Sequence, residues 1–201
     1  MEAYLITFGA MLLRWLHVIA AMAWIGESFH FVLLDNGLRE PKDPEAKRRG
    51  VAGELWAVHG GGFYHHQKYL TSPPTLPKRL HWSFWQAYTT WLSGFALFAL
   101  MYLSSPSLYL ANRTSDWAWV AQLTSWQVDG VAVLFLVLGW LIYNELCKRI
   151  SPTMQRDGIL TIAVAVMMVL VAYVSTQLFS GRAAFLLTGA VMATAMAANV
   201  F

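Results

Sequence analysis

Cysteine and charge are both scarce in this sequence. Of the 201 residues, one is a cysteine, Cys147, and 12% are charged. A single thiol excludes an intramolecular disulfide, a cysteine-based zinc site and an iron–sulfur cluster within the chain. The missing Cys-x-x-Cys-His motif excludes covalent attachment of a c-type haem. A net charge of +3 does not indicate a nucleic-acid partner, because the basic residues lie beside apolar segments.

Apolar residues dominate instead. They make up 57% of the chain and include ten tryptophans, a residue that favours the membrane interface. Five apolar segments approach the roughly 20 residues that cross a bilayer. We therefore predict an all-α fold, a polytopic transmembrane helical bundle forming a single membrane domain over residues 1–201. Its predicted spans are about 4–34, 84–103, 125–147, 159–179 and 183–201, the last two forming a tight helical hairpin.

Lysine and arginine are distributed unequally between the predicted connections. The 35–83 loop holds eight and the 148–158 loop three, whereas the other connections hold Arg113 and Arg182. Basic loops tend to stay in the cytoplasm, so the pattern predicts an N-terminus outside and a cytoplasmic 35–83 loop. A loop of this length is unusual. Because it is rich in aromatics, we expect a short interfacial helix or hairpin in it.

The two ends of the chain give weaker indications. The first segment lacks a basic region before its apolar run, so we expect no cleaved signal peptide. The sequence stops inside an apolar segment at Phe201. From this ending we expect a chain truncated at the C-terminus.

Ionisable residues interrupt the first apolar segment, where hydrocarbon penalises them by several kcal/mol. His17 lies about twelve residues into the span, near mid-membrane at about 1.5 Å per residue. A neutral imidazole there suits axial ligation of a haem b iron. Trp24, seven residues later, lies on the same helical face and could pack against the macrocycle. The alternative is a histidine hydrogen-bonded to a neighbouring helix.

Other ionisable residues in the apolar segments have simpler interpretations. Glu27 and His30 show the Glu-x-x-His spacing of di-iron bundles, but those need a second pair and two more glutamates. No second pair exists in the sequence, so a polar cap near the helix end is expected. Asp129 and Glu145, near the two ends of the 125–147 segment, are expected to reach the interface.

The sequence HGGGFYHHQKY at 59–69 is the richest polar cluster. Its glycines allow the backbone to approach a ligand or to turn tightly. Its histidines and lysine could hold an anionic heterocycle on which an aromatic ring stacks. The spacing does not match a phosphate-binding loop, and an interfacial loop with snorkelling side chains is the alternative. The candidate site residues are His59, Gly61, Gly62, Tyr64, His65 and Lys68.

Four runs of residues together resemble a known family. They are LHVIAAMAWIGESF at 16–29, HGGGFY with QKY at 59–69, WLSGF at 91–95 and SGRAAF at 180–185. In matching order, they resemble the N-terminal membrane domain of membrane-bound urate oxidases. More weakly, the Leu-His-Val run of the first segment is similar to a haem helix of membrane protoporphyrinogen oxidases.

The resemblance implies a membrane domain followed by a cytochrome c domain, in the inner membrane of bacteria. It implies oxidation of urate toward 5-hydroxyisourate in purine degradation, with electrons leaving through cytochrome c or another electron-transfer protein. On this resemblance Lys68 would neutralise the urate anion. His59 or His65 would transfer a proton near pH 7. His17 would bind the haem.

Two positions depart from the family pattern. Leu187 stands where a second histidine is expected, and Gln86 where an acidic residue is expected. The alternative function is therefore a non-catalytic subunit, haem-binding or structural, of a larger respiratory or photosynthetic membrane complex. A transporter fits the spans but lacks paired broken helices.

Overall fold

The computed structural model describes residues 2–73, 75–81, 83–151 and 157–199. A long first helix, a short helix and a two-stranded hairpin precede the remaining helices. The elements are α1 (Glu2–Gly37), α2 (Pro44–Arg48), β1 (Val51–His59), β2 (Gly62–Tyr69), α3 (Trp85–Phe98), a π-helical turn (Ala99–Leu103), α4 (Pro106–Tyr109), α5 (Ala118–Ala121), α6 (Ser125–Ile150), α7 (Asp157–Leu178) and α8 (Gly181–Ala198).

Among the described residues, four helices are long and apolar enough to cross a membrane. They are Tyr4–Gly37, Ser125–Ile150, Gly158–Leu178 and Gly181–Ala198. The predicted polytopic all-α fold is therefore confirmed. The predicted 84–103 segment forms α3 continued by the π-helical turn, and its membrane crossing stays a prediction. The charge pattern favours a crossing by this segment. The two basic loops, 35–83 and 148–158, lie on the same side of the membrane only if the 84–103 segment also crosses it.

The chain divides into two compact units, Ala21–Ser83 and the remainder, Met1–Ala20 with Phe84–Phe201. In the second of these, the helical unit, α8 packs against α6 and α7 through small residues. A Cβ on Gly139 of α6 would lie 2.4 Å from Val191 of α8, so only glycine allows this approach. Ser175 and Thr188 share a hydrogen bond of 2.8 Å between α7 and α8. The predicted α7–α8 hairpin is confirmed, with two residues between the helices.

The connection before α6 is folded onto the α7–α8 turn, which the sequence did not indicate. Ala111 forms a β-bridge with Phe179, and the Ser180 amide donates to the Leu110 carbonyl at 2.9 Å. Asn112 Nδ2 donates to carbonyls at the end of α7. Phe179 and Leu110 are fully buried, so this connection closes one end of the helical core.

The other unit, the hairpin unit, contains the antiparallel pair β1–β2. Gly60 and Gly61 form its turn with φ of +57° and +80°. Positive φ at both central residues is the type I′ geometry, which matches strand twist and requires residues such as glycine. The register pairs Trp56 with His65 and Val58 with Phe63. The expectation of a short helix or hairpin in the 35–83 loop is confirmed, since α2 and the hairpin both lie there.

Candidate functional site

His17 of α1 packs against α3 within the helical unit. Its Nδ1 lies 3.0 Å from the Thr90 carbonyl oxygen and 3.1 Å from Ser93 Oγ. Thr90 and Ser93 are 7% and 3% exposed, and Ser93 Oγ already donates to the Thr89 carbonyl at 2.6 Å. Both neighbours of Nδ1 therefore act as acceptors, so Nδ1 carries the proton in the neutral imidazole.

That proton assignment leaves the second ring nitrogen as a lone-pair site. Nε2 of His17 forms no hydrogen bond with any residue that the structure describes. A histidine that donates one ring N–H to a carbonyl and keeps the other nitrogen unprotonated has the arrangement of most metal-bound histidines. It is equally the arrangement of a histidine bonded to a neighbouring helix, so both interpretations of His17 share this contact.

Gly94 of α3 explains how the imidazole comes so close to the helix. A Cβ at this position would lie 2.8 Å from His17 Cε1 and 3.2 Å from Nδ1. The glycine opens a cradle that any side chain would fill. The ring itself fills this space, with Nε2 3.6 Å from the same Cβ position. His17 is the residue that would hold a haem, through Nε2. Thr90, Ser93 and Gly94 were not recognised from the sequence, although WLSGF at 91–95 contains two of them.

No second imidazole faces this position from the helical unit. His17 is its only histidine in the sequence. Leu187, where a second histidine was expected, is fully buried and packs in the α6–α7–α8 core. A bis-histidine arrangement from α1 and α8 is therefore not available. Trp24, the other predicted cofactor residue, is half-buried, two turns after His17 on α1.

The hairpin does not bring the predicted catalytic residues His59, His65 and Lys68 together. Strand residues alternate between faces, and the register places His65 on the face opposite His59 and Lys68. His59 pairs with Gly62 and Lys68 with Gly53, so roughly 20 Å of strand separates them at about 3.3 Å per residue. The three predicted residues belong to different places on one hairpin.

Lys68 has a partner of its own. Its Nζ lies 2.6 Å from Asp35 Oδ1, with about half of each side chain exposed. Exposed ion pairs of this kind contribute at most about 1 kcal/mol, so the lysine could exchange partners with an anion. Gly61 lies in the turn, and the Tyr64 ring lies over Gly62, 3.2 Å from where its Cβ would be.

His65 is the best positioned of the predicted proton-transfer residues. Its Nε2 lies 3.0 Å from Glu54 Oε2, with side-chain exposures of 30% and 16%. Its ring stacks on Trp56 with centroids 4.2 Å apart and an interplanar angle of 6°. A carboxylate and a flat aromatic ring thus fix the imidazole. Glu54 and Trp56 were missed in the sequence, because their partnership depends on strand register.

Glu27 and His30 lie ten and seven residues before the end of α1, so they do not form the expected polar cap of the helix, and each contacts a different residue of the 35–83 connection. Glu27 accepts a hydrogen bond from the Ser83 hydroxyl, and the His30 ring meets His66 edge-on with centroids 6.2 Å apart. Within the described parts of the chain, no group of three or more His, Cys, Asp or Glu residues could hold a metal ion. These contacts give no support to a di-iron site.

Comparison with known proteins agrees with the four runs of residues that suggested a family. The family model described as urate oxidase N-terminal matches residues 3–201. No curated protein and no solved structure matches the chain. The match covers nearly the whole sequence, including α1 with His17, the hairpin and the α7–α8 turn. The chain therefore belongs to the urate oxidase N-terminal family, with a role related to urate oxidase.

Proposed function

We propose that this chain is a membrane-embedded oxidoreductase domain that oxidises urate and passes the electrons to a haem held by His17. The family match supports a role related to urate oxidase. The observation that carries the redox part is the Nε2 atom of His17, which forms no hydrogen bond with any described residue while Nδ1 is held 3.0 Å from the Thr90 carbonyl oxygen. The contact with Thr90 orients the ring and leaves Nε2 with its lone pair in an apolar span, where an ionisable side chain is costly unless it is used.

A haem b in this position would supply one-electron exchange, at a potential that its axial ligand helps to set. The chain's own contribution is to hold the imidazole. Thr90 fixes the proton on Nδ1, and Gly94 leaves room for the ring beside α3. Such a contact to the second nitrogen orients a ligating histidine and raises its basicity. Electrons would leave toward cytochrome c or another electron-transfer protein.

Proton transfer is assigned to His65 with Glu54. Conversion of the urate mono-anion to 5-hydroxyisourate adds water and releases two electrons and a proton, so a base is required. Glu54 accepts from Nε2–H of His65, which leaves the Nδ1 lone pair as the proton acceptor. A base oriented by a third group in this way is the usual arrangement in general base catalysis.

Lys68, the predicted cation for the urate anion, does not face the same molecule as His65, because the register places the two residues on opposite faces of the hairpin. Its Nζ lies 2.6 Å from Asp35 Oδ1, and the proposal gives it no role beyond this ion pair. His59, alone at the hairpin turn, has no assigned role.

The test begins with optical spectra of the purified chain, with and without reductant. A Soret band is expected, and His17→Ala should abolish it. His30→Ala is the matched control, since this histidine lies on the same helix and should leave the band unchanged. In membranes that contain the domain with its electron acceptor, urate should reduce the haem. A band that survives His17→Ala, or a haem that urate does not reduce, would contradict the proposal.

A second candidate is a non-catalytic haem-binding or structural subunit of an electron-transfer complex. The buried Leu187, in place of a second histidine, favours it. The proposed membrane placement, a bacterial inner membrane with the N-terminus outside, is the same for both candidates. They differ in the urate experiment. A His17-dependent Soret band with no response to urate would support the subunit and exclude the enzyme.

A further inference from the structure

Arg14 is a cation inside the first membrane-spanning helix. It lies about ten residues after Tyr4, where the apolar span begins, and this is about 15 Å along the helix axis at ~1.5 Å per residue. An arginine side chain is shorter than that distance, so snorkelling does not carry its charge to the nearer membrane surface. Charged residues that are kept within a span are costly and usually face a partner or a cavity. Arg14 therefore needs an anion close to its own depth.

The contacts of Arg14 in the helical unit do not provide one. Its Nη2 lies 3.4 Å from the Sδ atom of Met101, in the π-helical turn. A thioether sulfur is a weak acceptor, whereas a guanidinium carries five N–H donors. In the described part of the chain Arg14 forms no ion pair with a carboxylate, and the residue is exposed. Most of its donors are therefore open to a further partner.

His17 lies on the same face of α1, one turn further along. Residues three apart on a helix are neighbours, and these two are separated by about 4.5 Å along the axis. Both contact one continuous helical segment. His17 contacts Thr90 and Ser93 of α3, and Arg14 contacts Met101 in the turn that continues α3. An unprotonated ring nitrogen and an unpaired cation thus occur side by side on one helix face.

The other basic residues described in the helical unit do not offer this combination. Arg113 donates to two backbone carbonyls in the connection before α6. Lys148 and Arg149 lie in the last turn of α6, and Arg182 lies in the first turn of α8. Among these described residues, Arg14 is the one that shares a helix with His17 and lies away from a helix end.

We propose that Arg14 binds the propionate carboxylates of the haem that His17 holds through Nε2, a role that rests on the function proposed above. Haem b carries two propionates, which are anions on an otherwise apolar molecule. An arginine binds a carboxylate through two parallel charge-assisted hydrogen bonds, which a thioether cannot accept. Arg14 would exchange the Met101 sulfur for a propionate, so that both charges are neutralised inside the span.

This position of Arg14 has a second consequence, for the haem potential. A fixed positive charge beside the porphyrin favours the reduced iron, which carries one positive charge less than the oxidised iron. Loss of the guanidinium should therefore lower the midpoint potential. A residue that served only the packing of α1 would have no such effect on the potential.

The test compares haem b with its dimethyl ester, in which both propionates are esterified and uncharged. The full apo-chain, purified in detergent from haem-depleted cells, is titrated with each porphyrin, and the Soret band gives the dissociation constant. Arg14→Gln is compared with the parent. Arg149→Gln is the matched control, because it removes the same charge from a residue that pairs with Glu145 near the end of α6. Circular dichroism must match the parent in every variant.

Arg14→Gln should weaken haem b binding about tenfold or more, as expected for lost charge-assisted hydrogen bonds, and should leave binding of the dimethyl ester unchanged. Arg14→Lys should recover part of the loss, because an ammonium keeps the charge but not the planar pair of donors. In a spectroelectrochemical titration, the haem b potential of Arg14→Gln should fall by about 60 mV, which is tenfold in the one-electron equilibrium constant. Arg149→Gln should match the parent in all three measurements.

Equal weakening with both porphyrins would overturn the proposal, because Arg14 would then serve folding or the membrane surface. Equal haem b binding by the parent and Arg14→Gln, with a Soret band that depends on His17, would also overturn it and would leave the haem assignment of His17 in place. A chain with no His17-dependent band would contradict the haem assignment and the role of Arg14 together. A bound haem that urate does not reduce would contradict the enzyme alone.

Discussion

The helical unit and the hairpin unit hold their polar groups in different ways. In the helical unit, His17 is fixed by a backbone carbonyl and by the absence of a side chain at Gly94. In the hairpin unit, the Glu54 carboxylate fixes His65 and the Asp35 carboxylate fixes Lys68. All four of these side chains are partly exposed to solvent. A backbone acceptor is permanent, whereas a side-chain partner can be exchanged. The first arrangement suits a cofactor ligand, the second a group that must bind and release a substrate or a proton.

The largest expected effect comes from replacing His65, which tests whether the hairpin unit takes part in urate oxidation. Loss of a positioned general base typically lowers a rate by about 10²–10⁴, so His65→Ala should reduce urate-dependent haem reduction at least about a hundredfold. Glu54→Gln should produce a smaller loss, because the imidazole remains but its orientation is weaker. His59→Ala is the matched control, and its rate should stay near that of the parent. If His65→Ala reduced the haem as fast as His59→Ala and the parent do, His65 would have no role in urate oxidation.

The next effect concerns packing in the helical unit. Gly139→Val should destabilise the chain by about 1–3 kcal/mol or more, because extra atoms at a packed site force strain and a Cβ alone would lie 2.4 Å from Val191. Thermal unfolding in detergent measures the change. Gly130→Ala on the same helix is the control, because nothing lies within 4 Å of its Cβ position. It should be neutral or stabilising, by up to about 1 kcal/mol.

A third prediction tests the cradle beside His17. Gly94→Ala should push the imidazole away from α3 and weaken its contact with Thr90, at a cost of about 1–3 kcal/mol of strain. The Soret band should shift or diminish, whereas Gly26→Ala, an open position on α1, should leave it unchanged. An unchanged band in Gly94→Ala would show that the close approach of the ring to α3 does not matter for haem.

The sequence was sufficient for the helices and insufficient for the partners of the site residues. Apolar runs of about 20 residues identify spans, and three consecutive glycines between aromatic runs are consistent with the hairpin that forms. The strand register could not be predicted, because a shift of one residue moves every side chain to the other face of the strand. Adjacency in the sequence therefore grouped His59, His65 and Lys68 in one site, and the strands separate them. Thr90 and Glu54 were also missed, because their contacts with His17 and His65 join residues that are distant in the sequence.

The smallest expected effect lies at Glu40, next to the hairpin. A hydrogen bond and the charge of Lys47, whose Nζ lies 2.5 Å from the carboxylate, hold the pKa of Glu40 below its ordinary value. The ionised form is therefore favoured by folding, so its contribution is complete above the ordinary pKa of a glutamate. It is lost as the pH falls through the lower, folded value. About half of the Lys47 side chain and most of the Glu40 side chain are exposed, so high salt should weaken the pair, because the Debye length falls from about 10 Å at 0.1 M to about 3 Å at 1 M. Unfolding followed from pH 7 to pH 3 should show an acid-dependent component that Glu40→Gln lacks and that high salt reduces. An acid response identical in the parent and in Glu40→Gln would contradict a contribution from the Glu40–Lys47 pair.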